Sequence, residues 1–137
     1  MAKDIYHNLV REALELEKWS ITDDPLYLYF GKRKVATDLG AEKWIVAEKG
    51  KQKIAVEVKS FITLSVVNEM HHSVGQLDFY RFILDKQEPD RILYLAMPQD
   101  AYDELMEEPL IEEFFKLHNV KFIIFDTQKP IIRQWIN

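Results

Sequence analysis

Lys53-Ile54-Ala55-Val56-Glu57-Val58-Lys59 is the stretch on which the reading of this chain turns. Successive side chains of a β-strand point to opposite faces. Ile54, Val56 and Val58 therefore form an apolar face, while Ala55, Glu57 and Lys59 share the other. Just before it, Glu48-Lys49-Gly50-Lys51 has the polar, glycine-containing composition of a hairpin turn. The segment Val35–Glu48, interrupted near Gly40, thus becomes an antiparallel partner. Further upstream, Leu26-Tyr27-Leu28-Tyr29-Phe30 lies between the Asp24-Pro25 break and a Gly31-Lys32 turn and reads as another strand.

Outward from this meander the period changes. Residues 3–18 space Ile5, Leu9, Ala13 and Leu16 as a helix would, with no Gly or Pro. From Ser65 to Leu84, Val66, Met70, Val74, Leu77 and Tyr80 recur at three- and four-residue steps, predicting a long helix that ends before Pro89. Arg91–Met97 is a nearly continuous apolar run, as in a strand covered on both faces. An acidic helix over 101–118, a strand at Val120–Phe125 and a last strand at Ile131–Ile136 complete the order. Strands first in succession and then alternating with helices imply an α/β fold: a mixed central sheet, antiparallel early and parallel late, between helical layers. No linker, repeat or low-complexity segment divides residues 1–137, so one domain is expected.

Composition narrows the chemistry. With 137 residues and 47% hydrophobic content, one core is attainable. There is no cysteine, which excludes disulfides, zinc–thiolate sites, iron–sulfur clusters and a thiol nucleophile. The N-terminus has no apolar h-region, and no segment approaches the ~20 apolar residues of a membrane span. A soluble, cytoplasmic protein with no membrane partner is expected. The net charge of −5 opposes nucleic-acid binding, but charge is unevenly spread. Residues 31–60 hold eight Lys/Arg against four Asp/Glu, a local +4, and residues 85–118 hold three against ten, a local −7. The basic part coincides with Glu57 and Lys59.

A carboxylate beside a lysine has a chemical use: the first binds a hard divalent cation, the second holds a water or meets charge developing on a phosphate. The bland equivalent is a Glu–Lys pair on a solvent-exposed strand. One carboxylate rarely suffices for Mg2+, and the preceding segment offers Asp38 and Glu42, between which the sequence does not choose. On the long helix Gln76 and Tyr80 are i and i+4 and share a face, suited to a phosphate or a metal-bound water, or equally to satisfying buried backbone groups.

An acid, a turn, an E-x-K strand and then a helix bearing Gln-x-x-x-Tyr resembles the PD-(D/E)XK nuclease superfamily, restriction-endonuclease-like in fold. The runs TDLGAEKWIVAEKGKQKIAVEVKSF, ITDDPLYLYFG and VGQLDFYRFIL are similar to the XisH family of fdxN-element excision controlling factors, over essentially the whole chain. The resemblance implies a three-layer αβα fold and a cyanobacterial protein that assists a site-specific recombinase, with other excision factors, in removing a DNA element during heterocyst development. It implies Mg2+ or Mn2+ at Glu57 and Asp38 (or Glu42), Lys59 as catalytic lysine, and Gln76 with Tyr80 as a helical accessory pair. Thr37, not a proline, precedes Asp38. Two functions are compatible with it: metal-dependent endonucleolytic cleavage of DNA, and a non-catalytic accessory role that binds DNA or a partner on a nuclease-like fold. A homodimer is compatible with the sequence, which has no specific signal for one.

Of the remaining residues, His7 on the first helix could reach a site, and His71-His72 point about 100° apart, which suits no clamp. Glu12, between Leu9 and Leu16 at helical spacing, could approach the buried face as an acid of the site, but reads more readily as an edge residue of the first helix. Trp19, Trp44 and Trp135 are scattered in sequence and are expected in core packing, not in a stacking platform for bases.

Overall fold

The computed structural model describes residues 5–22, 28–34, 44–61 and 65–137. Its elements in chain order are α1 (His7–Leu16), β1 (Ser20–Ile21), β2 (Tyr29–Phe30), β3 (Arg33–Lys34), β4 (Ile45–Lys49), β5 (Gln52–Val58), α2 (Val66–Gln87), β6 (Arg91–Pro98), α3 (Gln99–Met106), α4 (Pro109–Leu117), β7 (Phe122–Phe125) and β8 (Ile132–Ile136). Six of the strands form one mixed sheet in the order β1-β4-β5-β6-β7-β8, and β2 pairs with β3 separately. β4 and β5 are an antiparallel hairpin, with Gly50 at φ +61° in its turn. The β5–β6 and β6–β7 pairs are parallel, and β8 returns antiparallel to β7. The fold class is thus mixed α/β.

The alternation of β5 sorts two cores. Ile54, Val56 and Val58 join Val10 and Leu14 of α1 on one face of the sheet. Ala55 joins Met70, Val74, Leu77, Tyr80 and Leu84 of α2 and Phe115 of α4 on the other. Strands buried on both faces need apolar residues at nearly every position. β6 and β7 meet that need, with seven of eight and four of four residues buried. Arg91 opens β6 from a buried position; its guanidinium donates to the Ile54 carbonyl at 3.0 Å and pairs with Glu88.

Helix ends follow local chemistry. Ser65 caps α2 by accepting from the Asn68 N–H at 3.2 Å. The acidic stretch expected as one helix over 101–118 is two helices. Pro109 has no N–H to continue α3, yet suits the first turn of a new helix, and Glu108 caps that turn by accepting from Leu110. α2 and α4 are joined where Asp78 receives Arg81 at 3.0 Å and the His118 ring at 2.7 Å, with Arg81 also donating to the Asn119 carbonyl.

Several expectations are corrected. The buried stripe of α1 is His7, Val10, Ala13 and Leu14, whereas Ile5 and Leu16 are exposed, Leu16 at 62%. Both stripes satisfy a 3.6-residue period, and the sheet selects the one it faces. Glu12 is consequently exposed. The strand expected over Val35–Glu48 is described only as β4, its earlier part lying outside the described residues. Two of the tryptophans are not scattered in space: Trp19 stacks on Trp135 at 5.8 Å, tying the chain beyond α1 to the last strand.

Two predictions test this packing. Leu95 is fully buried in the central strand, so Leu95→Ala should cost about 2–5 kcal/mol in denaturant unfolding, against little change for Leu110→Ala at an exposed position. Asp126 accepts from the Gln128 and Lys129 backbone N–H groups and pairs with Arg133. These contacts, the Arg133 hydrogen bond foremost, lower its carboxyl to about 2. A lowered carboxyl stabilises the fold above its ordinary value and loses that contribution as pH falls from about 4 towards about 2. Asp126→Asn should therefore flatten the acid limb of the thermal midpoint in that window and leave its slope above pH ~5 unchanged.

Candidate functional site

Glu57 and Lys59 sit at the C-terminal end of β5, an interior strand between β4 and β6. The Lys59 N–H donates to the Ala96 carbonyl at 3.0 Å, so the ladder with β6 holds Lys59 in place one residue beyond the strand. Its Nζ lies 3.7 Å from Glu57 Oε1, an ion pair longer than a tight hydrogen bond. The side chains are only 11% exposed for Glu57 and 23% for Lys59. A Glu–Lys pair on a solvated strand is therefore not what the fold presents. Two charges are held largely out of water, an arrangement that seldom adds stability over apolar residues of the same volume.

The helix completes one side. Tyr80 is buried on the same face of the sheet as Ala55, and its ring meets the Trp44 ring edge-on at 4.9 Å. The β4–β5 register, with Ile45 opposite Val56, brings Trp44 level with Glu57. Gln76, one turn before Tyr80, is half-buried. The structure thus brings Glu57 and Lys59 into direct contact and lays Tyr80 over the same sheet face through Trp44. Asp38 and Glu42 lie outside the described residues.

Three features of this end were not found from sequence. The Trp44 indole N–H and the Ser73 hydroxyl are buried without a partner among the described residues. Phe61, two residues past Lys59, takes φ +56° with its ring buried in the α2-side core. A left-handed aromatic residue costs on the order of 1–3 kcal/mol, held here by the packing around it. Beyond it, Ser60, Phe61, Pro98, Asp100 and Glu104 line a cavity of about 230 Å3 outside the carboxyl ends of β5 and β6, where open α/β sheets commonly take ligands. Only the Glu-x-Lys spacing was a signal in sequence; a positive φ at a phenylalanine leaves none.

The ligand set of a metal is incomplete among these groups. No cluster of three or more His, Asp or Glu is placed to hold an ion among the described residues, and Glu57 is a single carboxylate. No helix among the described residues is long and apolar enough to cross a membrane.

Among curated proteins none matches the chain. Two crystal structures are similar along nearly their full length. An XisH family protein from Nostoc punctiforme is 38% identical, with a TM-score of 0.87 over 98% of this chain and 100% of that one. An fdxN element excision controlling factor protein from Anabaena variabilis is 41% identical, with a TM-score of 0.86 over 96% of this chain and 98% of that one. The XisH protein family model matches residues 1–133. On a match of that length and relatives of that identity, this chain belongs to the XisH family.

Proposed function

We propose that this chain is an excision controlling factor that acts on DNA through a PD-(D/E)XK nuclease-like site at the end of β5, cleaving a phosphodiester with Mg2+ or Mn2+. The observation that carries the reading is the Glu57–Lys59 pair, 3.7 Å apart, largely buried, and fixed on an interior strand. Support for the superfamily fold comes from a mixed sheet with helices on both faces and a crossover helix directly after the E-x-K strand.

In this reading Glu57, with Asp38 or Glu42, would hold a metal ion, which would supply Lewis-acid activation of water and of the phosphate oxygens. Lys59 has an ammonium that orients the attacking water and meets the negative charge growing on the phosphoryl oxygens. The water oxygen bonds to phosphorus as the bond to the leaving sugar oxygen breaks, and a water proton ends on that oxygen. Gln76 is half-buried and fits a contact with the phosphate or its water. Tyr80 is too deeply packed against Trp44 to touch substrate and acts as a positioning residue. DNA, a site-specific recombinase and other excision factors are the partners this function requires.

The test is incubation with supercoiled, linear and branched DNA in Mg2+ or Mn2+. Cleavage should stop on chelation and fall about 10²–10³-fold or more in Glu57→Gln and Lys59→Met. Cleavage unchanged in both variants would remove the site. No cleavage by the unaltered protein, with DNA or partner binding retained in the variants, would replace catalysis by a binding role on the same fold. Glu57→Leu/Lys59→Met, which replaces both charges, should unfold at a temperature no lower than the parent, whereas Lys59→Met alone should lower it, because a buried carboxylate then loses its ammonium.

A further inference from the structure

The opposite end of β5 carries a second groove, on the α1 face of the sheet, with a volume of about 790 Å3. Its floor is apolar and aromatic: Trp19, Ile54, Ile92, Tyr94 and Trp135. α1 ends at Leu16 and leaves this part of the sheet uncovered, so Ile92 is 41% exposed on a strand that is otherwise buried. One wall is the tip of the β4–β5 hairpin, with Lys49 and Lys51; Lys53 also borders it, but alternation along β5 gives its side chain to the face of Ala55 and Glu57. Neither Lys49 nor Lys51 is in an ion pair among the described residues. The Lys49 ammonium lies 5.8 Å from the centre of the Trp19 ring.

The aromatic floor is preorganised. Trp135 is held by its stack on Trp19, by the Tyr94 ring edge-on at 5.1 Å, and by its indole N–H, which donates to Glu17 Oε1 at 3.1 Å. The Tyr94 hydroxyl is engaged by the Asn137 side chain. That indole bond engages one of the two carboxylates in the lining; Asp90 is the other. Lys49 and Lys51 set two ammonium groups, neither of them in an ion pair among the described residues, over low-dielectric walls, where a charge is felt more strongly than in open water.

We propose that this groove binds a single-stranded nucleic acid, with Lys49 and Lys51 on its phosphates and one base against Trp135 and Ile92. Lysine combs beside aromatic rings are the chemistry of single-strand binding, whereas protein interfaces are depleted in lysine. The volume lies within the ~300–1,000 Å3 that encloses a small ligand, enough for a single base. The site is on the other face and other end of β5 from Glu57, and stands whether or not that pair cleaves DNA.

Fluorescence anisotropy with a labelled oligothymidylate, in chelator so that no metal chemistry occurs, tests the proposal. Lys49→Glu/Lys51→Glu should weaken binding at least about tenfold and reduce the slope of log K against log salt by about 1.4, since each phosphate contact contributes ~0.7. Trp135→Leu, which keeps apolar bulk without the flat ring, should weaken binding about fivefold or more at an unchanged salt slope. Glu57→Gln should bind as the parent does, which separates this groove from the nuclease-like site. The proposal is overturned if the lysine variant binds undiminished, if Trp135→Leu has no effect, or if polyglutamate displaces the oligonucleotide equally well, which would make the groove a site for an acidic protein segment.

Discussion

Parallel pairing of β5 with β6, from Lys53 opposite Arg91 to Val58 opposite Ala96, is the constraint from which the rest of the molecule follows. Parallel neighbours cannot be joined by a tight turn, so the chain must cross the sheet, and α2 is that crossing. The crossing helix covers one face and α1 covers the other. β5 is therefore interior and dry on both sides, and a carboxylate placed on it has no route to bulk water except past the strand's end. Glu57 and Lys59 owe their low exposure to this topology more than to any local feature.

How much was legible follows the same logic. Alternation in 53–59 correctly divided Ile54, Val56 and Val58 from Ala55, because period two is a property of the strand itself. The hairpin turn at Gly50 and the long helix before Pro89 were equally local. What failed was non-local. The side of α1 that faces inward depends on where the sheet lies, so Leu16 was assigned to a face that the fold leaves to solvent. Trp19 and Trp135 stand at opposite ends of the sequence and meet only because β8 returns beside β7. Pro109 divided the acidic stretch, a local signal that helical periodicity on both sides concealed. For the candidate site, spacing alone assigned Glu57 and Lys59 to one strand face and Gln76 and Tyr80 to one helix face, but neither the burial of the Glu57–Lys59 pair nor the strained Phe61 beyond it could be read that way.

The uneven charge noted along the chain acquires a spatial meaning. Lys49 and Lys51 border an apolar floor, whereas the acids of α3 and α4 belong to helices on the opposite face of the sheet. The two faces are therefore electrostatically unlike, a difference that fades beyond a Debye length of about 8 Å at physiological salt.

The hairpin lysines also bear on how the protein reaches its fold. β4 and β5 are neighbours in sequence and can pair early, but the second edge of β5 waits for β6, which follows the whole of α2. Until then a valine- and isoleucine-rich strand offers unpaired N–H and C=O groups to any other chain. Lysines in and beside such a strand discourage edge-to-edge association by charge repulsion. The lysines at 49, 51 and 53 have the placement of such gatekeeper charges, beside the strand that carries Glu57.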